Sequence, residues 1–318
     1  MGTIRTDYII DEPLLEVGTV LGEGPLYDQR NGVLHFVDIP ENKVYHLDIA
    51  TNEVKVEAYP DNITCLALHP SDPSILACAA TNGFGYLRDG KLTYLVEPIP
   101  EDDRPFTRFN DGACDSRGRF FAGTLCSINP SHPVAGMLYR YSPLDGSCVV
   151  VDKGPFTDSN GIGWSTDERT LYFTDSWRNH IHAYDYDIET GHISNRRVLV
   201  DAAKPEYGLK GTCDGLCVDT EGGIWSARWE GSKIVRFLPD GTPDFAVSVP
   251  KVWRVTACCF GGPNNDQLYV TSAHCAANGC DPTVQDKYPQ SGHLFKLDLK
   301  GRFQGRDRYG FGFQSLKA

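Results

Sequence analysis

One phrase recurs six times along this chain: a polar residue, a short apolar strand, a turn of Gly, Asp, Asn or Ser, and a second apolar strand. It reads EGPLYDQRNGVLHFVD from Glu23, TCLALHPSDPSILACA from Thr64 and DGACDSRGRFFAG from Asp111. It returns as NGIGWSTDERTLYFTDS from Asn160, DGLCVDTEGGIWSAR from Asp214 and TACCFGGPNNDQLYVTSA from Thr256. The openings are 41, 47, 49, 54 and 42 residues apart. A repeat of that length, built from short strands and turns, is the signature of propeller blades. Each phrase runs on into a third and usually a fourth strand. KVYHLDIATNEVKVEAYP (43–60), for example, reads as a hairpin turning at Ala50-Thr51-Asn52-Glu53. Period-two alternation dominates throughout. The expected fold is therefore all-β: a six-bladed β-propeller with four-stranded blades, one domain over residues 1–318. Residues 14–20 are expected to complete the last blade beside GHLFKLDLKG (292–301), so that N- and C-terminal strands close the ring and remove exposed sheet edges.

Composition narrows the function classes. The net charge of −12 argues against nucleic acid, whose phosphates demand a basic footprint. No run approaches the roughly 20 apolar residues that span a bilayer. The N-terminal MGTIRTDYIIDEPLLEV carries acids and a Pro where a signal peptide needs an apolar stretch. Gly2 sits in too loose a pattern for myristoylation, and the closing Leu316-Lys317-Ala318 is not a peroxisomal address. Cytoplasmic residence is the expectation. Eleven cysteines are an odd number for a disulfide framework. Most, including Cys65, Cys78, Cys114, Cys217, Cys258 and Cys259, lie in apolar strand contexts that suit buried free thiols. Cys213 with Cys217, and Cys275 with Cys280, lack the paired spacing of a zinc site.

Equivalent residues of a propeller sit at equivalent radial positions, so the residue opening each phrase should border the central channel. Glu23, Asn160 and Asp214 each precede a Gly and would converge there. Alone, each would be an ordinary turn residue. Together they offer two carboxylates and an amide carbonyl, an all-oxygen set suited to a hard divalent cation. Thr64, Asp111 and Thr256 are expected to line the same channel. His180 and His182 share a strand face but lie downstream, on the outer blade. Two Pro-, Ser- and Gly-bearing insertions, 126–136 and 273–292, are candidate lids, the second reading more simply as a surface connection. No Gly-x-Ser-x-Gly elbow, Walker loop or zincin motif appears.

Four segments, RFNDGACDSRGRFFAGT (108–124), SNGIGWSTDERTLYFTDS (159–176), CDGLCVDTEGGIW (213–225) and ACCFGGPNNDQLYVTSA (257–273), resemble the senescence-marker-protein/gluconolactonase/luciferin-regenerating-enzyme family, which includes regucalcin-like sugar lactonases. The likeness runs in order from LGEGP at Leu21 to the GHLFKLD segment at Gly292. It implies a six-bladed propeller with one divalent cation in its channel, Ca2+ first, with Zn2+, Mn2+, Mg2+ or Fe2+ as alternatives. Its metal ligands fall on Glu23, Asn160 and Asp214, and its substrate-contacting residues on Arg108 and Asn110. Asp111, on the ring by the repeat, ranks behind its neighbour Asn110. One departure stands out: members place a substrate-binding acid four to five residues after the AGT motif, where this chain has Cys126-Ser127-Ile128-Asn129. Ser127 or Asn129 is left to meet a sugar hydroxyl.

The function so implied is metal-dependent hydrolysis of a sugar-derived γ- or δ-lactone to the aldonic acid, as in carbohydrate metabolism. Asp214 would be ligand and general base, with Arg108 and Asn110 orienting the substrate. The alternatives are a phosphotriester or fluorophosphate hydrolase and a non-catalytic calcium-binding propeller. Read from sequence alone, Arg108 could instead pair with Asp102 or Asp103. The expected partner is a small-molecule sugar lactone, with no nucleic acid and no membrane, on a monomer or weak homodimer.

Overall fold

The computed structural model describes residues 4–312, so Gly2 and the closing 316–318 lie outside the described residues. A short first strand, β1 (Thr6–Ile9), precedes the blades. Blade one is β2 (Gly22–Asp28), β3 (Val33–Asp38), β4 (Lys43–Asp48) and β5 (Val54–Ala58). Blade two is β6 (Ile63–Leu68), β7 (Leu76–Ala80), β8 (Gly83–Arg88) and β9 (Lys91–Val96). Blade three is β10 (Phe109–Cys114), β11 (Phe120–Thr124), β12 (Gly136–Tyr141) and β13 (Cys148–Phe156). Blade four is β14 (Ser159–Trp164), β15 (Thr170–Asp175), β16 (His180–Asp187) and β17 (His192–Asp201). Blade five is β18 (Thr212–Val218), β19 (Ile224–Trp229), β20 (Lys233–Phe237) and β21 (Pro243–Ser248). Blade six is β22 (Arg254–Gly261), β23 (Gln267–Ala273) and β24 (Phe295–Asp298). The inner strands β2, β6, β10, β14, β18 and β22 follow one another around the axis, and β22 returns to β2. The protein is a six-bladed β-propeller.

Ring closure uses the N-terminal segment in two ways. Residues 14–20 join blade six as expected, through the Leu15–Leu294 bridge and the Thr19 N–H donating to Gly292 O at 2.8 Å. Upstream of them, β1 pairs in parallel with β21, so blade five gains a fifth strand that the repeat did not announce. Among the described residues, helical pieces are confined to 3-10 turns at Pro205–Tyr207, Ala277–Gly279 and Pro282–Asp286. None of the described helices is long and apolar enough to cross a membrane.

Six clusters of buried apolar side chains lie at the six blade interfaces. Between blades five and six, Trp225 meets Phe245, Phe260 and Phe303 with ring centroids 5.3–5.5 Å apart in edge-on geometry, the arrangement aromatic quadrupoles favour. Blades three and four meet through Phe121, Trp164, Phe173 and Tyr186. A flat sheet with two apolar faces can only be buried between two neighbours, which is why the chain must close into a ring.

All six inner strands share one irregularity. Each slips register against its hairpin partner at the repeat position: between Glu23 and Leu26, Ile63 and Cys65, Phe109 and Gly112, Ser159 and Ile162, Cys213 and Leu216, and Val255 and Ala257. A bulge re-aims one side chain away from the ladder, and here the re-aimed residue is the one that opens the phrase. The glycine that follows has a separate role. At Gly215 a Cβ would lie 2.5 Å from the Ala257 Cβ of the next inner strand, so only glycine allows blades five and six to approach.

The far end of the channel is covered. Residues 304–312 cross the turns of five blades, with the Gly305 N–H on Asn265 O, the Thr220 N–H on Gln304 O, Arg306 on Thr166 O, the Phe311 N–H on Leu68 O and the Gly312 N–H on Gly118 O. Arg308 and Tyr309 from this strap line a small pocket of about 40 Å3 with Asp111, Cys65 and Cys258.

Candidate functional site

At the opposite end, where the inner strands begin, a cavity of about 590 Å3 opens. Glu23, Arg108, Asn110, Asn160 and Asp214 all line it, so the five residues singled out from sequence share one wall-to-wall site. They come from β2, the entry to β10, β10 itself, β14 and β18; Glu23, Asn110, Asn160 and Asp214 sit at the bulges of these inner strands and Arg108 just before one.

A hydrogen-bonded chain fixes the polar floor. Arg108 Nη1 donates to Asn110 Oδ1 at 2.7 Å and to Phe109 O at 2.8 Å. Asn110 Nδ2 donates to Ser159 O at 2.9 Å and to Asn160 Oδ1 at 3.2 Å. Asn160 Nδ2 donates to Ser176 Oγ at 2.9 Å, which turns the carbonyl oxygen of Asn160 away from Ser176. Arg108 thus has no ion pair with Asp102 or Asp103; Asp103 meets His132 instead, at 2.9 Å.

The acids of the floor are crowded and dry. Glu23 is 6% exposed and Asp214 4%. Burial pushes both carboxyls well above the usual range, and neighbouring acids add to it: Asp111 and Asp158 for Glu23, Glu23 foremost for Asp214. Among the described residues Asp214 Oδ1 is buried with no hydrogen-bond partner, and Glu23 Oε2 takes only the N–H of its neighbour Gly24, at 3.1 Å. A buried carboxylate oxygen left unpaired is costly. Two such carboxylates beside an amide carbonyl fit a hard divalent cation as a third party. Among the described residues no three His, Cys, Asp or Glu side chains converge, so the set depends on the Asn160 oxygen as well as on Glu23 and Asp214.

Other expectations are corrected. Thr64 and Thr256 hold ring positions but do not line the cavity; their hydroxyls donate to Ala79 O at 3.2 Å and Gly22 O at 2.5 Å, tying strands together. Asp111 points to the small pocket beneath, facing Arg308, and burial raises its carboxyl to about 6. Ser127 and Asn129 are bonded within their own loop, Asn129 N to Ser127 Oγ at 3.0 Å and Ser131 N to Asn129 Oδ1 at 2.9 Å. That loop gives the cavity Cys126 and Ile128 instead, and the second insertion contributes Asn278. In line with the expectation for them, His180 and His182 lie on β16, the third strand out, and do not line the cavity.

Sequence reading missed Asp158. It lines the cavity two residues before Asn160, and strand alternation, which sets every second residue on one face, was the signal that could have found it. Burial is the main force lifting its carboxyl, to about 6, with Arg108 pulling it back. The apolar rim was also unforeseen: Phe106, Trp177 and Trp229 stand around the mouth with Ile128, and Ile128 is 84% and Trp177 57% exposed.

The fold and site define a propeller with a ligand-sized well, whose floor is built of acids and amides beside one arginine. The chain belongs to the SMP-30/gluconolactonase/LRE-like family, whose pattern it matches over residues 21–274. It is 36% identical to regucalcin of Xenopus laevis over 302 residues, 93% of this chain and 95% of that one. A calcium-binding protein, regucalcin, from Agrobacterium tumefaciens superimposes with a TM-score of 0.84 at 28% identity, covering 98% of this chain and all (100%) of its own. A luciferin-regenerating enzyme also gives 0.84, at 26% identity over 95% of this chain and 99% of its own.

Proposed function

We propose that the protein is a lactonase that opens a sugar-derived γ- or δ-lactone to the aldonic acid, with one divalent cation held by Glu23, Asn160 and Asp214. The observation that carries this reading is the buried, unpartnered Asp214 oxygen beside Glu23, in the same cavity as the Arg108–Asn110 pair. Bound there, a divalent cation supplies counter-charge to the two acids and Lewis-acid polarisation of the lactone carbonyl. The all-oxygen donors favour Ca2+ and weigh against Zn2+, which prefers nitrogen and sulfur.

The chain's own groups do the rest. Asp214 takes the proton of the attacking water as general base and returns it to the ring oxygen as the acyl C–O bond breaks. The water's OH thus ends on the carboxyl carbon and its proton on the new hydroxyl. Among the described residues Arg108 Nε and Nη2 have no hydrogen-bond partner and can donate to substrate oxygens, because Nη1 alone is spent on Phe109 O and Asn110 Oδ1. Asn110 holds that guanidinium in place. The rim of Phe106, Trp177 and Trp229 displaces water from the reacting carbonyl. The family's gluconolactonase members support this chemistry. Eleven free thiols suit a reducing compartment, in agreement with a cytoplasmic enzyme.

A non-catalytic calcium-binding propeller is the second reading, supported by the Agrobacterium relative described as a calcium-binding protein. A panel of aldonolactones assayed with Ca2+ and with EDTA, alongside paraoxon, separates the two. Lactone turnover abolished by EDTA is the expected result, with Arg108→Ala lowering kcat/KM by about 10- to 100-fold at unchanged Ca2+ affinity. Tight Ca2+ binding without turnover of any lactone would select the second reading.

A further inference from the structure

Asp158 has hydrogen-bonding capacity that the protein leaves unused. It is half-buried against the cavity. Its Oδ1 receives only two long contacts, 3.4 Å each, from Asn110 Nδ2 and Asn160 Nδ2. Both amides have better partners at 2.9 Å, Ser159 O and Ser176 Oγ. Its Oδ2 has no hydrogen-bond partner among the described residues, and no Lys, Arg or His nitrogen among them stands within 4.0 Å of the carboxylate. An ionised carboxylate offers about four lone-pair sites, so most of this one faces the cavity unsatisfied.

Among the described residues Asp158 touches the proposed metal ligands only through the long contact with Asn160 Nδ2. Glu23, Asp158 and Asp214 do not converge as a three-acid cluster. The contacts of Asp158 run toward Asn110, the residue that holds Arg108. In the same cavity the 126–129 loop presents Cys126 and Ile128, while Ser127 and Asn129 are bonded within the loop. A charged acceptor beside a charged donor, with apolar walls around both, recognises a ligand that carries donors and acceptors on adjacent atoms. Vicinal hydroxyls are that pattern.

Formal charges point the same way. With a divalent cation bound, Glu23, Asp158 and Asp214 would hold three negative charges against the three positive ones of the cation and Arg108. Asp111 is matched separately by Arg308 at the strap. A neutral lactone leaves that balance intact, whereas its aldonate product adds an uncompensated negative charge and is repelled.

We infer that Asp158 is the substrate-side acceptor that makes this cavity selective for neutral lactones bearing vicinal hydroxyls. The inference rests on the lactonase reading above and assigns its substrate class to one residue. The test compares the Ca2+-loaded wild-type protein with Asp158→Asn and Asp158→Ala on D-glucono-δ-lactone and on δ-valerolactone, the same ring without hydroxyls. Ca2+ affinity is measured by calorimetry, and D-glucitol binding by titration, which needs no turnover. Asp158→Ala is expected to lower kcat/KM for the hydroxylated lactone by about 10- to 100-fold, with δ-valerolactone changed by less than about threefold. Asp158→Asn, which keeps one acceptor, falls between. Glucitol binding weakens in step while Ca2+ affinity stays within about tenfold of wild type. Equal losses on both lactones, or loss of Ca2+ binding in Asp158→Ala, would overturn the assignment. If wild type hydrolyses neither lactone, the lactonase reading falls and glucitol decides the rest. Binding that Asp158→Ala abolishes upholds the hydroxyl anchor; binding that is absent or unaffected removes it.

Discussion

On the lactonase reading, replacing Asp214 by Asn should make the metal-free protein more stable and remove nearly all turnover. The side chain is 4% exposed, one oxygen has no partner, and Glu23 adds repulsion. An unsatisfied buried acceptor costs about 1–3 kcal/mol, and a carboxamide of the same shape removes the charge from that position. At about 2.1 cal/mol/K per residue, that gain raises Tm by roughly 2–4 °C in a chain of this length. Calcium at about 1,000 times its Kd should then reverse the order, because ligand linkage adds about 4.1 kcal/mol to wild type and much less to a variant lacking a ligand. Turnover of the best lactone should fall by about 10^2- to 10^4-fold even at saturating cation, the usual worth of a general base. Scanning calorimetry of both proteins in EDTA and in Ca2+, together with kcat at saturating cation, reads all three effects. A lower metal-free Tm for Asp214→Asn would refute the account of Asp214 as a strained, cation-awaiting acid. Wild-type turnover in the loaded variant would leave the residue as a ligand only.

Gly215→Ala should cost about 1–3 kcal/mol by urea unfolding, because its Cβ meets Ala257 Cβ at 2.5 Å and neither methyl can rotate away; unchanged stability would show that blades five and six are free to separate. The His35 ring, 2.7 Å from His46 Nδ1, is held down at about 3 by burial and by His46. The unfolded chain therefore takes that proton first as pH falls through about 6.5, and stability is lost between there and about 3. The loss reaches about 2 kcal/mol at pH 5. His35→Gln should flatten that part of the stability profile, and a profile parallel to wild type would remove His35 as its source.

What could be read in the chain was what repeats. The six phrases predicted six blades because every blade buries the same two faces, and the opening residue of each phrase sits at the same bulge. The phrases say nothing of what that residue does once it is there. Glu23, Asn160 and Asp214 reach the cavity, whereas the hydroxyls of Thr64 and Thr256 turn back into neighbouring strands, a choice made by the carbonyls nearby. Asp158 escaped because it stands just before the phrase that Asn160 opens and is not among the site residues named in the four segments, although it lies only two positions from Asn160. The fifth strand of blade five was hidden for another reason. Thr6 pairs with Ala246, and no local pattern marks a contact between residues so far apart in the chain.

The strap formed by residues 304–312 makes the propeller's axis a blind alley. A channel open at both ends would let substrate arrive on one side and product leave on the other. Here the floor lies against Asp111, Arg308 and Tyr309, so both must use the mouth framed by Ile128 and Trp177. Arrival and departure are therefore mutually exclusive events at one doorway. In a lactonase of this shape, product that lingered there would block the next turnover however fast the ring opened.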